Sequence, residues 1–382
     1  MTSDGQARST WFQRFLLPGL AFKAVVIGGG YATGRELAEF FLSSGPVGGL
    51  LGMALAMLVW SLVCALTFLF ARATQATDYR TFFQALLGPF WIVFEIVYIL
   101  LMVLVLAVMA AAAGTIGAAA LDLPIWAGTL ALVAAIIAAT SFGTAGAEGL
   151  FRYSSTYIYL IYAAFVMLAL ASFGGRIGPQ LASAPVGAGW VEGGLSYAGY
   201  NLIAAVAILP FLRHQTSRRD AVVAGLICGP LAMVPALLFF LCMIAWYPEV
   251  GNEALPSDFL LRRIGLSWFY LLFQAMIFCA LLETGVGMVN AINERIAATA
   301  VRLGRNFTPR WRLAASTLLV VGSSAVAARI GLVALIARGY GAFGYIMLAI
   351  FVLPLVTIGV ARLFFLSNAA PASGDDHEPE AV

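Results

Sequence analysis

Apolar runs of about 20 residues follow one another along almost the whole chain, separated by short polar stretches; each is long enough to cross the hydrocarbon core of a bilayer as a helix. The pattern predicts ten spans, at roughly 17–43, 46–71, 89–113, 124–143, 148–173, 193–212, 220–246, 267–293, 311–329 and 339–366. The fold class expected is therefore an all-α polytopic membrane protein. Residues 1–16 are polar, carry two Arg and lack an apolar run ending in small residues, so they read as a cytoplasmic N-terminal segment rather than a removable signal. Residues 367–382 are acidic and rich in Pro, Ala and Ser, and read as a disordered cytoplasmic tail. Between them, 17–366 is read as one membrane domain.

Composition sharpens this reading. Charged residues make up only 10% of the chain and hydrophobic ones 62%, whereas a soluble domain carries about 25% charged residues. Cys64, Cys228, Cys242 and Cys279 all lie in apolar runs, which argues against disulfides, and the two His lie outside the spans, so no His-based metal site is expected. The same scarcity of His argues against an intramembrane metalloenzyme; the chain is not expected to be an enzyme and no cofactor is expected. A pump driven by ATP is disfavoured, because no G-x-x-x-x-G-K-[ST] occurs.

Charge distribution sets the expected orientation. Arg8, Arg14, Arg72, Arg80, Arg152, Arg213, Arg218, Arg219, Arg295, Arg302, Arg305, Arg310, Arg312 and Arg362 fall on one side of the ten spans. Arg176, Arg262, Arg263, Arg329 and Arg338 fall on the other. The arginine-rich side is the cytoplasmic one, with both termini, in what reads as a bacterial inner membrane. Six Trp stand near span ends and Trp60 stands in mid-span.

Ten spans invite a five-plus-five inverted repeat, about 17–173 and 193–366. One echo supports it. TDYRTFFQALLGPFW (77–91) and PSDFLLRRIGLSWF (256–269) share a hydroxyl residue, an Asp and an aromatic, then a Gly before an aromatic pair. Each reads as a short amphipathic helix with an N-cap.

The first span contains GGGYATGRELAEFF (28–41). Three Gly at mid-membrane depth each cost about 1 kcal/mol relative to Ala in a helix. Unwound backbone there is tolerated only beside protein or water. The span is therefore expected to break at Gly28, Gly29 and Gly30, with Tyr31 beside the break. TGRE reads as a capping box in which Thr33, followed by Gly34, caps a restarted helix and Glu36 reaches back. Arg35, Glu36 and Glu39 would then face a wet cavity. The plainer alternative is a Gly-rich kink for close packing. Span 6 carries a second polar cluster, SYAGYN (196–201), with a break expected at Gly199, a restart capped by Asn201, and Tyr197 and Tyr200 facing solute or anchoring at the interface.

GGGYATGRE resembles the first-helix signature of the YkvI family of bacterial membrane proteins, which runs roughly G-x-G-[FY]-A-[ST]-G-[RQ]-E. The ten-span layout also resembles the amino acid–polyamine–organocation superfamily with its LeuT-type fold. The resemblance implies a secondary transporter with helices 1 and 6 broken. By the same resemblance, a sodium site would lie between the break of helix 1 and a hydroxyl pair on helix 8, where Glu283 and Thr284 fall. Thr284 fits that pattern and Glu283 departs from it.

Glu283 lies about 16 residues into span 8. It would hold Na⁺ near Gly28, carry a proton, or pair with Lys23, the only Lys in the chain. Glu95 and Arg152 would form a gate pair or, on the plainer reading, a solvated cluster with Glu148. RYSSTYIYLIY (152–162) would line the inner pathway, Pro230 and Pro235 would let span 7 bend, and Arg338 would serve an outer gate or the interface. The function expected is symport of a small polar organic solute, an amino acid or amine, by alternating access, coupled to Na⁺ or H⁺. The alternatives are a channel or a non-transporting membrane sensor or assembly protein. The expected partners are the solute and the lipid bilayer, with no nucleic acid; the oligomeric state stays open.

Overall fold

The computed structural model describes residues 9–141, 143–305 and 308–368. The tail expected to be disordered and the first eight residues lie outside the described residues, as do the side chains of Glu148 and Arg152. Among the described residues there are helices and no strands.

The first apolar segment is divided into α1 (Leu17–Val26), α2 (Gly29–Ala32) and α3 (Arg35–Phe40). Then come α4 (Gly45–Ala73), the short α5 (Tyr79–Leu87), α6 (Trp91–Leu121), α7 (Ile125–Ser141), α8 (Gly143–Phe173) and α9 (Ile177–Ser183). The second half begins with α10 (Trp190–Asn201) and α11 (Ile203–Ala207), followed by α12 (Arg218–Ile244), α13 (Pro256–Ile264), α14 (Ser267–Arg302) and α15 (Pro309–Ile330). The last apolar segment alternates α16 (Leu332–Ala334), α17 (Gly341–Met347) and α18 (Val360–Asn368) with π-helical turns at Leu335–Tyr340, Leu348–Val352 and Leu355–Gly359.

Among the described residues seven stretches are long and apolar enough to span a bilayer, so the chain is a multi-pass helical membrane protein. The three predicted spans missing from that set are the first and sixth, which are interrupted, and the fourth, whose apolar helix Ile125–Thr140 is short.

Two packed groups emerge. In one, α12 lies along α4 and α1, and α4 also carries α10. In the other, α15 packs on α6 and α7, and α14 packs on α6, α7 and α8. The groups meet where α2 leans on α14. Trp60, the mid-span Trp, is fully buried because its ring belongs to the first group. Its Nε1 donates to the Ala198 carbonyl at 3.1 Å, and its ring lies 5.7 Å from Phe22 and 5.5 Å from Tyr197.

Both short amphipathic helices form. Each has nine residues and ends on a glycine with positive φ, Gly88 at 59° and Gly265 at 76°. Their starts differ. Asp78 caps α5, accepting from the backbone N–H groups of Arg80 and Thr81 at 2.9 and 3.0 Å. The N-cap expected for α13 is not made, since Leu255 holds that position. Asp258 instead turns to Arg262, Tyr270 and Gln274, and this bond raises the Arg262 pKa above its ordinary value. Asp78→Ala is expected to cost about 1 kcal/mol by loss of the cap, read as a lower melting temperature, whereas Asp258→Ala should leave the start of α13 intact.

On the arginine-rich side, Arg14 forms a two-point ion pair with Asp220, at 2.9 and 2.7 Å. Asp220 also closes a capping box with Ser217 at the start of α12. The N-terminal segment is thereby tied to the first group of helices.

Candidate functional site

The interruption of the first segment is local and sharp. Lys23 lies in the last turn of α1, Ile27 leaves the helix at φ −82°, ψ 80°, and Gly28 is extended at φ −96°, ψ −176°. Gly29 and Gly30 open α2, a single turn that carries Tyr31. Gly34 then takes φ +77°, which an L side chain rarely adopts, and α3 starts behind it.

The expected capping box is not made. Gly34 holds the N-cap position of α3 and has no side chain to cap it. The Thr33 hydroxyl, one residue further out, accepts the N–H of Arg35 at 3.2 Å and donates back to the Gly30 carbonyl at 2.7 Å. Thr33 thus meets the first donor of α3, but the reciprocal bond from Glu36 is not made, because the Thr33 N–H turns to the Gly30 carbonyl. Glu36 is freed to point elsewhere. Its Oε2 accepts a hydrogen bond from the Tyr200 hydroxyl at 2.5 Å, a partner on α10.

Arg35 and Glu39 bound neither of the two cavities beside the break. Arg35 is buried and donates to the carbonyls of Gly251 and Glu253 at 3.0 and 2.9 Å, while its other arm holds Glu39 at 2.5 Å. The Ser257 N–H donates to the Thr33 carbonyl at 3.0 Å. The restart of the first segment is thus strapped to the loop between α12 and α13.

The sixth segment is less interrupted than expected. α10 runs through Gly199 and ends at Asn201, whose side chain donates to the Tyr197 carbonyl at 3.0 Å instead of capping α11. Leu202 stays right-handed at φ −62°, ψ −15°, and carries no cap bond. Gly199 serves packing. A Cβ there would strike the backbone of Gly344 on α17, and one on Gly344 would strike Ser196.

Two cavities adjoin the break. The larger, about 600 Å³, is bounded by Gly28, Tyr31, Tyr159, Tyr162, Glu283 and Thr284 among mostly apolar neighbours such as Leu238 and Met276. The smaller, about 80 Å³, is bounded by Gly28, Gly30, Glu36, Tyr200, Asn201, Thr284 and Tyr340. A Cβ on Gly28 would lie 3.4 Å from the Thr284 hydroxyl, so the extended backbone faces α14 at that residue. Tyr197 is fully buried and bounds neither cavity.

Lys23 carries its ammonium 4.1 Å from the centre of the Tyr159 ring, a cation–π contact on the wall of the larger cavity. Glu95 lies 3.7 Å from Arg80 and 3.6 Å from Arg295, whose guanidinium covers the rings of Tyr79 and Tyr98. Arg338 is exposed in the π-helical turn that leads to Tyr340.

Sequence reasoning singled out neither Tyr98 nor Tyr340. Tyr340 sits two residues beyond Arg338, in ARGYGAFGY (337–345), and its ring stacks on Tyr200 at 4.5 Å. Tyr162 closes RYSSTYIYLIY; its hydroxyl lies 3.1 Å from that of Tyr31 and donates to the Pro235 carbonyl at 2.8 Å. A run of tyrosines in an apolar segment is the signal that was present for Tyr162.

No protein-family model matches the sequence, and no curated protein matches it. Solved structures do. A manganese transporter variant from Eremococcus coleocola shares 14% identity over 97% of this chain and 91% of that one, with a TM-score of 0.43. A second variant of that transporter shares 16% over the same shares of the two chains, with a TM-score of 0.40. The same transporter in complex with an aromatic bis-isothiourea substituted compound shares 15% over 93% and 88%, with a TM-score of 0.41.

Proposed function

We propose that the chain is a secondary active transporter that moves a small organic solute, an amino acid or amine, by alternating access. The observation that carries the reading is the interrupted backbone at Ile27–Gly28, which lies against Thr284 and borders two adjoining cavities. Irregular backbone at membrane depth is costly unless it lines a cavity, and such breaks are where transporters hold solute and ion.

In this reading the ten apolar segments cross the membrane as a five-plus-five inverted repeat with both termini cytoplasmic, in a bacterial inner membrane. The likeness of GGGYATGRE to the YkvI signature accords with it. The group built from α1, α4, α10 and α12 rocks against the group built from α6, α7, α14 and α15. Solute lies at the break, against Gly28, Gly30, Tyr31, Tyr200 and Asn201. A coupling ion, Na⁺ or H⁺, sits near Glu283 and Thr284, and Lys23 borders it from Tyr159. The manganese named for the structural neighbours is not the cargo proposed. The polar lining is made of phenols, one threonine, one amide and single carboxylates, and among the described residues no three His, Cys, Asp or Glu gather to hold a metal.

The test is thermal stability of the purified protein in Na⁺ against K⁺ from pH 5 to 8, for wild type and Glu283→Gln, followed by flux in reconstituted vesicles. An ion at a hundred times its Kd stabilises the folded state by about 2.7 kcal/mol. A sodium-specific rise lost in the variant is the expected result if Na⁺ couples; a pH dependence lost in the variant is expected if H⁺ does. A variant with unchanged sodium and pH responses removes Glu283 from coupling, and absence of solute flux removes the transport reading.

A further inference from the structure

Glu36 was expected to reach back and close a capping box with Thr33, and it does not. Its residue is 5% exposed. One oxygen takes the Tyr200 hydroxyl, and the other lies against Gly30, where an added Cβ would strike it. The carboxyl group therefore bridges the interrupted first segment and α10, and it bounds the smaller cavity. Gly28 and Thr284 bound both cavities, so the space beside Glu36 adjoins the larger one.

The groups around it are phenols. Tyr31 comes from its own segment, Tyr98 from α6, Tyr197 and Tyr200 from α10, and Tyr340 from the π-helical turn. Arg35 and Glu39 on the same helix turn away to the α12–α13 loop, and Glu283 on α14 faces the larger cavity. Among the described residues, Glu36 takes part in no ion pair with Lys, Arg or His. At this depth a bare carboxylate is strongly unfavourable. The group is therefore held either as the neutral acid or as the anion beside a cation brought from outside. Tyrosine faces next to a carboxylate suit an ammonium group, and the apolar walls of the larger cavity suit a hydrocarbon body.

We propose that Glu36 is the single point at which a proton and the ammonium group of the solute exchange, so that an alkylammonium solute with an apolar body loads by expelling one proton. The inference rests on the transport reading for its setting and names the solute class of that site. In the step, the O–H bond of the Glu36 carboxylic acid breaks and its proton passes to water. The carboxylate left behind pairs with the ammonium, and net charge is conserved. Tyr200 holds the carboxyl in place and does not itself titrate.

The experiment uses the full chain in detergent with 3-methylbutylamine as probe and 3-methylbutan-1-ol, the uncharged analogue, as control. In wild type the amine raises Tm and the alcohol does not. Apparent affinity for the amine rises about tenfold per pH unit while Glu36 holds its proton, then levels off. Calorimetry in buffers of different ionisation enthalpy counts about one proton released per amine bound. Glu36→Gln loses both the pH dependence and the proton release, and binds the amine at least about tenfold more weakly. Tyr200→Phe keeps the carboxyl and the one-proton release with a displaced midpoint, so it carries the test if Glu36→Gln does not yield folded protein.

Amine binding without proton release, equal stabilisation by the alcohol, unchanged binding by Glu36→Gln, or no stabilisation by the amine at any pH would each overturn the inference. These failures are separable from failure of the transport reading. Ion-dependent stability through Glu283 and solute flux would survive them. Conversely, proton-releasing amine binding without flux would remove transport and leave the Glu36 exchange standing.

Discussion

Replacing Gly229 with Leu is expected to remove folded protein from the membrane. Gly225 and Gly229 lie one turn apart on the face of α12 that meets α4. A Cβ on Gly225 would collide with the backbone of Ala65 and come within 2.8 Å of the Cys64 carbonyl carbon. One on Gly229 would collide with the Met57 carbonyl and the Ser61 hydroxyl. These obstacles are mostly backbone, so rotamer changes cannot relieve them. Ser61 is already committed, donating to the Leu226 carbonyl at 2.9 Å.

Between membrane helices, close packing does the work that exclusion of water does in a soluble core, so helices pushed apart lose contact with nothing gained in return. Overpacking typically costs about 1–3 kcal/mol per site, and the Gly225→Leu/Gly229→Leu pair acts on one interface and exceeds either change alone. The measurement is the yield of monodisperse protein in size-exclusion chromatography, with Tm for whatever folds. Gly322→Ala on α15, where an added Cβ meets nothing within 4 Å, serves as the unaffected control. An unchanged profile for Gly229→Leu would mean that α4 and α12 do not approach this closely.

Gly225 and Gly229 also show what a sequence can and cannot tell. Glycine marks a place where backbone must come close or turn, but not which. The run at 28–30 was legible as an interruption because three poor helix formers act locally, and the chain leaves the helix at Ile27–Gly28. Gly199 carried the same signal in SYAGYN and proved to be a packing glycine. Its partner Gly344 is far away in the chain. The amphipathic helices at 77–91 and 256–269 were legible to within a few residues, since period and a terminal Gly fix them locally.

Side-chain partners were not legible. TGRE satisfies the capping-box pattern, yet Gly34 adopts positive φ and Glu36 finds Tyr200, 164 positions on. Glu95 was matched to Arg152 by shared proximity to one membrane face; the Arg152 side chain lies outside the described residues, and Arg80 and Arg295, which the sequence did not single out for it, stand at Glu95. At Glu36 a local motif was outcompeted by a tertiary contact, and no periodicity encodes such a contact.

Arg35→Ala is expected to open the site to the side proposed as external. In the structure, Arg35 is the strap between the restarted helix α3 and the loop before α13: two carbonyls and one carboxylate converge on its guanidinium. Hydrogen bonds to charged groups contribute about 1.5–3 kcal/mol each, and a shift of about 1.4 kcal/mol is tenfold in an equilibrium. Loss of even one such bond, if it is made only in the closed form, therefore raises the open population about tenfold. Part of that is discounted, because Glu39 is about one quarter exposed (26%) and can rehydrate.

The readout is reaction of a membrane-impermeant thiol reagent with Ala32→Cys in a chain whose four native Cys are replaced. Ala32 is buried and borders the larger cavity, so its labelling reports entry to that space. The expected rate in the Arg35→Ala background is about tenfold or more above that with Arg35 intact, with Arg35→Lys between them because a lysine cannot serve both carbonyls and Glu39 at once. Glu39→Gln should give a smaller rise, since the two carbonyl bonds remain. Equal labelling rates in all four backgrounds would make the strap a fixed part of the fold and move the outer barrier elsewhere, to the tyrosine stack of Tyr200 and Tyr340 or to the Arg338 end of the last segment.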